Sequence, residues 1–398
     1  NNYFFEIFLK NIDLYSIIFK FERLLESPNY YYFGKENFKN IPDDNKLYLQ
    51  LLNFLNENNI FENGVVLSLS GGVDSMVILA LLLKIRETKK LDICSVMINY
   101  NLRDESIDEA KFIEKYCKEN KVKFYIFNMI ENNMHQEKDR KNMMSKERKV
   151  FEEKSKELRY SFYQKIINDF DYSGVILGHH KDDLVENIFT NLLKGHNILD
   201  LEVMKEVGVI KNVKIFRPLI AFPKSDILLL AKEYNIPYFK DTTPKWSRRG
   251  KMRFEIFPLL DNIFGKSWNQ KLKSIGDQSN SLNRTVKTLL SDPWIDNVEW
   301  VNEVEFNNGN SSSSKTFLFL LPVRFKDDLF MWYYTIPLLF FKKEMKCIKK
   351  KSVEKLFNIL NEDFNQNIGS TITLDSGIYA TILMKDNQEM ISFFKKSC

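Results

Sequence analysis

The chain has 398 residues, 44% of them hydrophobic and 28% charged, with a net charge of +5. That is enough for two or three domains with real cores, and the modest positive excess is compatible with RNA without demanding it. No run is long and apolar enough for a membrane span, and Cys94, Cys117, Cys347 and Cys398 are scattered without a C-x-x-C, which argues against a disulfide framework or a cysteine metal site and reads as reduced, buried thiols.

Residues 1–44 are aromatic-rich and irregular, with part expected to pack as one helix on the core. They carry no assigned chemistry, and because the chain starts at Asn1 a leader could have been removed before it. Helical apolar spacing over 47–55 leads into a buried strand at 65–67. The pattern then alternates. A strand is expected at 91–98, a helix at 106–119 with Ser106 as N-cap and Glu109 completing a capping box, and a strand at 122–128. Residues 131–150 read as a mobile polar insertion, 151–170 as a helix, 174–177 as a strand, 184–193 as a helix, 214–216 as a strand and 225–234 as a helix. Such alternation implies an α/β fold, a doubly wound parallel sheet covered on both faces. After Pro237 it stops. Helices are expected at 253–260 and 270–290, then strands at 298–304, 315–321, 371–375 and 378–384 with helices at 328–341 and 352–361, and a flexible Asn/Ser loop at 307–315. This divides the chain into 1–44, 45–240, a helical segment 241–290 and a smaller α+β domain 291–398.

The most informative stretch is Val65 to Ser75, VVLSLSGGVDS. It reads as a buried strand, a glycine turn and a helix start. Gly71 and Gly72 allow positive φ and close approach to the backbone, the first helical N–H groups face the turn, and Ser70 and Ser75 add hydroxyls. This is a phosphate cradle. It is no Walker A loop, because that spacing and its lysine are missing. Asp74 could instead bring a divalent metal to the phosphates. Later, Gly178-His179-His180-Lys181-Asp182-Asp183-Leu184-Val185-Glu186 places three carboxylates at a helix start. Asp183 and Glu186, three apart, face one way and suit Mg²⁺ or an ammonium group, whereas zinc lacks a suitable third ligand. Arg248, Arg249, Lys251 and Arg253 form a cation cluster beside Trp246, the residue types that hold phosphates and stack bases.

The SGGVDS string resembles the pyrophosphate loop of the ATP pyrophosphatase superfamily. Five further strings, in order, resemble the tRNA(Ile)-lysidine synthases within it: Asn99-Tyr100-Asn101-Leu102-Arg103, Glu152 to Tyr160, GHHKDDLVE followed by Asn191 to Gly195, Arg217-Pro218-Leu219 with Lys224, and Asp241 to Pro258. The resemblance covers about 65–265. In the first of these strings Asn99, Leu102 and Arg103 are kept and both His positions are changed; the chain departs further at Asn101, at Asn187, at Lys156, and at Pro244 in a loop two residues shorter than usual. The thiolases of the superfamily are disfavoured by the missing cysteines and the glutamine-fed synthetases by the missing amidase nucleophile. Nothing from 291 onward resembles the usual C-terminal domain.

The resemblance implies a PP-loop fold and an enzyme that adenylates the wobble cytidine of a tRNA with ATP and Mg²⁺, then joins free L-lysine to it with release of pyrophosphate and AMP. It implies ATP contacts from Ser70, Gly71, Gly72, Val73, Asp74, Ser75, Asn99, Gly178 and His179, and tRNA contacts from Arg159, Lys194, Trp246, Arg248, Lys251 and Arg253. Asp74 and Asp182 are the candidate metal ligands. Asp183 and Glu186 are the candidates for holding and deprotonating lysine, and Arg249 for the lysine carboxylate or the adenylate. Cytoplasmic location, or an organelle if a leader was removed, follows by the same analogy; the oligomeric state stays open, with a homodimer as one arrangement. Two other readings stay open: a related adenylating enzyme with another nucleophile, and a non-catalytic RNA-binding descendant.

Overall fold

The computed structural model describes residues 40–100, 105–128, 145–240, 243–299, 315–323, 325, 327–342, 347–362, 364–375 and 377–396. Asn101, Leu102 and Arg103, most of the 131–150 insertion, residues 300–304 of the strand expected at 298–304 and all of the Asn/Ser loop but Lys315 lie outside these residues, as does nearly all of 1–44. The chain forms two compact units, one holding the chain up to Asn187 and again Met204–Gln270, the other Ile188–Val203 and Lys271–Cys398.

The first unit is built on a six-stranded sheet in the order β3-β2-β1-β4-β6-β5. Its strands are β1 (Val65–Ser68), β2 (Ile93–Asn99), β3 (Lys123–Asn128), β4 (Val175–Ile176), β5 (Val207–Ile210) and β6 (Val213–Phe216). All neighbours are parallel except the β5–β6 hairpin. That hairpin was not expected. Its turn, Lys211-Asn212, has positive φ at both residues, 48° and 65°, the geometry that matches strand twist in a two-residue hairpin. Alternate β1 residues serve opposite faces. Val65 and Leu67 join one core with α1 (Lys46–Glu57), α2 (Val73–Thr88), α3 (Glu105–Glu119) and α6 (Lys224–Glu233), and Val66 joins the other with α4 (Ser145–Phe170). Helix α2 buries Met76 through Leu82 without a break, so it is sandwiched rather than amphipathic. Cys94 and Cys117 are buried thiols, both pushed up to about 12 by burial.

Several boundaries differ from those expected. Helix α3 begins at Glu105, so Ser106 lies inside it and is no N-cap. Helix α4 begins at Ser145 and takes in the end of the supposed insertion, and α5 (Lys181–Leu193) begins three residues early, so that Asp182 and Asp183 sit in its first turn. After α6 the chain runs through Arg248–Lys251, a π-helical turn Met252–Ile256 and Phe257–Phe264 before α7 (Trp268–Val286).

The second unit has an antiparallel sheet, β7 (Lys315–Pro322), β10 (Gln388–Lys396), β9 (Ile378–Lys385) and β8 (Thr371–Thr373) in that order. Helices α8 (Leu329–Lys342) and α9 (Lys350–Glu362) share its core with Trp294 and Trp332. Trp294 Nε1 donates to the Pro322 carbonyl at 2.6 Å, so this large ring is buried without an orphaned donor. Strand β10 was not anticipated.

Candidate active site

In an open parallel sheet, ligands bind beyond the carboxyl ends of the strands where the winding reverses. Here that point lies between β1 and β4, and the two strongest sequence motifs follow these two strands.

Gly71 takes φ +78° and sits so close to Phe239 that a Cβ would lie 2.5 Å from its Cδ2 and 2.9 Å from Ile113 Cδ1. Phe239 N donates to the Gly71 carbonyl at 2.9 Å, pinning the loop. Ser75 Oγ accepts from Ser70 N at 3.2 Å and donates to the Gly72 carbonyl at 3.0 Å, closing the turn from inside. The first N–H of α2 to bond back is that of Met76, to Gly72 at 3.1 Å, which leaves the N–H groups of Val73, Asp74 and Ser75 without intrahelical acceptors. Gly178, at the end of β4, abuts this helix start. A Cβ there would lie 3.2 Å from both Asp74 Cβ and Ser75 N, so glycine is what lets the second motif reach the first.

A chain of charges then runs away from the loop. Asp74 Oδ2 pairs with Lys224 Nζ at 3.2 Å, and its Oδ1 is buried with no hydrogen-bond partner among the described residues, 3.7 Å from His180 Nε2. His180 Nε2 lies 3.2 Å from Asp183 Oδ2, which also accepts from the His180 backbone N–H at 3.2 Å. Asp183 Oδ1 receives Arg249 Nη2 and, at 2.9 Å, Arg253 Nη2. Glu186 Oε1 takes Arg249 Nε and Oε2 takes Arg253 Nε, both at 2.9 Å. Two carboxylates and two guanidiniums thus form a closed square. The side chains of Asp183, Glu186 and Arg253 are 6%, 12% and 19% exposed, and that of Arg249 is 46% exposed. Burial raises the pKa of Asp183, but His180, Arg249, His179 and Arg253 outweigh it and hold the carboxyl below its ordinary value.

The segment carrying the arginines is tightly folded. Ser247 Oγ donates to the Pro244 carbonyl at 2.7 Å and accepts from Gly250 N at 2.9 Å. A Cβ on Gly250 would stand 2.1 Å from Pro244 O, so this path demands glycine. Arg248 and Lys251 are exposed, Trp246 is half-buried, and Arg253, grouped with them from sequence, turns inward to the carboxylates.

The remaining expected residues are dispersed. Asp182 is exposed, and its Oδ2 accepts from Lys224 N at 3.3 Å; among the described residues it is linked to Asp74 through the two ends of Lys224. Buried Asn99 donates to the Ser106 carbonyl at 3.2 Å and so ties β2 to α3. Arg159 is half-buried, with its guanidinium 5.1 Å from the Tyr160 ring centroid, and Lys194 is an exposed residue of the second unit. His179 Nδ1 accepts from Arg217 Nε at 3.0 Å. Arg217, Lys224, His180 and Phe239 were assigned no role from sequence. The first two stood in a recognised string and His180 in another, whereas Phe239 had no signal of its own.

Among the described residues no three His, Cys, Asp or Glu side chains converge as a metal cluster. The orphaned Asp74 Oδ1 still suits Mg²⁺, which takes one or two carboxylates and fills its other positions with phosphates and water.

A family profile described as PP-loop domain matches residues 44–260. The chain is 29% identical over 219 residues to a tRNA(Ile)-lysidine synthase of Chlamydia pneumoniae, covering 54% of this chain and 64% of that protein. It is 28% identical over 221 residues to one of Staphylococcus aureus strain COL, covering 54% and 49%. The matches thus span less than two thirds of these relatives. Among solved structures, a U34-tRNA thiolase from Methanococcus maripaludis aligns over 59% of this chain and 78% of its own, with 20% identity and a TM-score of 0.46. With the profile spanning more than half of its length, this chain belongs to the PP-loop domain family.

Proposed function

We propose that this chain is a tRNA(Ile)-lysidine synthase-like ligase that uses ATP, Mg²⁺, a tRNA and free lysine. The observation that carries this reading is the junction at Gly178, which sets the carboxylate–arginine square one helix start away from the phosphate loop. The relatives' names support the choice of substrate.

In the first step O2 of the cytidine attacks the α-phosphate of ATP, forming the O2–P bond as pyrophosphate leaves. The N–H groups of Val73, Asp74 and Ser75 and the Ser70 hydroxyl meet the phosphate charge, and Lys224 adds a cation on Asp74. Mg²⁺ held by Asp74 would neutralise the departing pyrophosphate. In the second step the ε-amine of lysine attacks C2, gives up a proton, and AMP leaves with the former O2. Asp183 and Glu186 already hold two cations, so an ammonium enters by exchange. Arg249, the more exposed guanidinium, is the one displaced, and once freed it suits the lysine carboxylate. Glu186 takes a proton from that ammonium before the attack, because only the neutral amine carries the lone pair that reaches C2.

Single-turnover analysis tests this division of labour. Glu186→Gln is expected to form pyrophosphate and stall before AMP leaves. A variant that completes both steps at the normal rate removes Glu186 from the second step.

A further inference from the structure

One of the two ring nitrogens of His179 is already taken by the protein. Its Nδ1 is occupied by Arg217 Nε at 3.0 Å. A guanidinium nitrogen can only donate, so Nδ1 keeps its lone pair and the ring proton resides on Nε2. Arg217 is in turn immobilised. It is buried, its Nη1 donates to the Lys205 carbonyl at 2.6 Å, and its backbone N–H donates to the Glu206 carbonyl at 2.8 Å. A second ring proton would set N–H against N–H. Burial also disfavours the charged ring, and together with Arg217, Arg249 and His180, against the opposing pull of Asp183, it brings the His179 pKa down to about 4. Among the described residues Nε2 has no partner. His179 directly follows Gly178, which packs against Asp74 and Ser75 at the phosphate loop.

We propose that Arg217 is a positioning residue that locks His179 as the neutral Nε2–H tautomer, and that this N–H donates to a phosphate oxygen of the bound nucleotide. The ligand half rests on the nucleotide-binding reading above; the tautomer half does not. The lock gives the crevice a fixed donor without adding charge beside Lys224, Arg249 and Arg253. It also removes His179 from proton transfer, since neither nitrogen offers a free lone pair. The proton taken from the amine must then go to a carboxylate.

The test is long-range ¹H–¹⁵N correlation of the four histidines in the full chain at pH 7, with the His179 ring assigned by its loss in His179→Gln. The wild type is expected to show a protonated Nε2 and an unprotonated Nδ1, and Arg217→Met to show mixed tautomers. A non-hydrolysable ATP analogue should move the Nε2 proton together with the Gly71 and Gly72 amides. Because a Gln amide reaches the Nε2 position and an Asn amide the Nδ1 position, His179→Asn should lose at least tenfold more nucleotide affinity than His179→Gln. An Nδ1–H or doubly protonated ring in the wild type overturns the lock, and needs no variant to fold. Loop amides that shift while the ring does not overturn the donor role. An analogue that moves neither overturns the nucleotide reading and the ligand half together, while the tautomer is still decided by the ligand-free spectrum.

Discussion

Replacing Asp183 by Asn removes one charge from the square and leaves its shape. Oδ1 receives two guanidiniums and Oδ2 receives the His180 backbone N–H and lies 3.2 Å from the His180 ring nitrogen. An Asn amide must turn its NH₂ to one of those pairs, so donor meets donor whichever way it sits. Breaking a buried ion pair by removing one partner costs about 3–5 kcal/mol. The Arg249 share is screened, because that side chain is nearly half exposed, and Glu186 still holds both arginines, which favours the low end. A loss of about 3 kcal/mol corresponds to a fall of roughly 6–12 °C in melting temperature for a domain of this size class. Calorimetry at pH 7 measures it on the transition that ATP raises. The pH dependence adds a second check. A carboxyl held below its ordinary 3.8 contributes stability that is fully present above that value and is lost as pH falls through the lowered one. The gap between wild type and Asp183→Asn is therefore widest at neutral pH and closes in acid below 3.8. A fall of under about 2 °C at pH 7, or a gap independent of pH, would refute the reasoning.

Gly71→Ala places a Cβ 2.5 Å from the Phe239 ring at φ +78°, a strain of about 1–2 kcal/mol from the backbone alone. ATP affinity measured by titration calorimetry should drop more than tenfold while far-UV circular dichroism stays unchanged; wild-type affinity would show that the loop does not grip phosphate. Replacing exposed Arg248 and Lys251 together should weaken tRNA binding and lower the log–log salt slope by roughly one unit per lost phosphate contact. An unaltered slope places both residues off the RNA path.

The phosphate loop was legible because its signals are local. Val65 to Leu67, two glycines and an apolar helix announce strand, turn and helix within a dozen residues, and the alternation that follows implies the parallel sheet. What escaped depends on contacts far apart in the chain. The pairing of Lys224 with Asp74 joins residues 150 positions apart, and nothing at either end marks it. Arg253 belonged to a dense basic run, and composition cannot tell a side chain turned to solvent from one turned to Glu186, 67 positions earlier. The β5 strand escaped because it is an edge strand with no fully buried residue, and so lacks the apolar run that betrays a central one. Ser106 was misread because the capping pattern recurs inside helices, and here it falls inside α3.

The proposed activity requires pyrophosphate release to depend on RNA, and AMP release to depend on RNA and lysine together. The measurement is parallel release of pyrophosphate and AMP by the full chain with a tRNA bearing a wobble cytidine, with and without lysine, followed by mass analysis of the nucleoside. Pyrophosphate is expected with tRNA alone, AMP only when lysine is added, and the cytidine should gain the mass of lysine less water. Asp74→Ala should release neither. Pyrophosphate release indifferent to tRNA, or incorporation of a different amine, would contradict it.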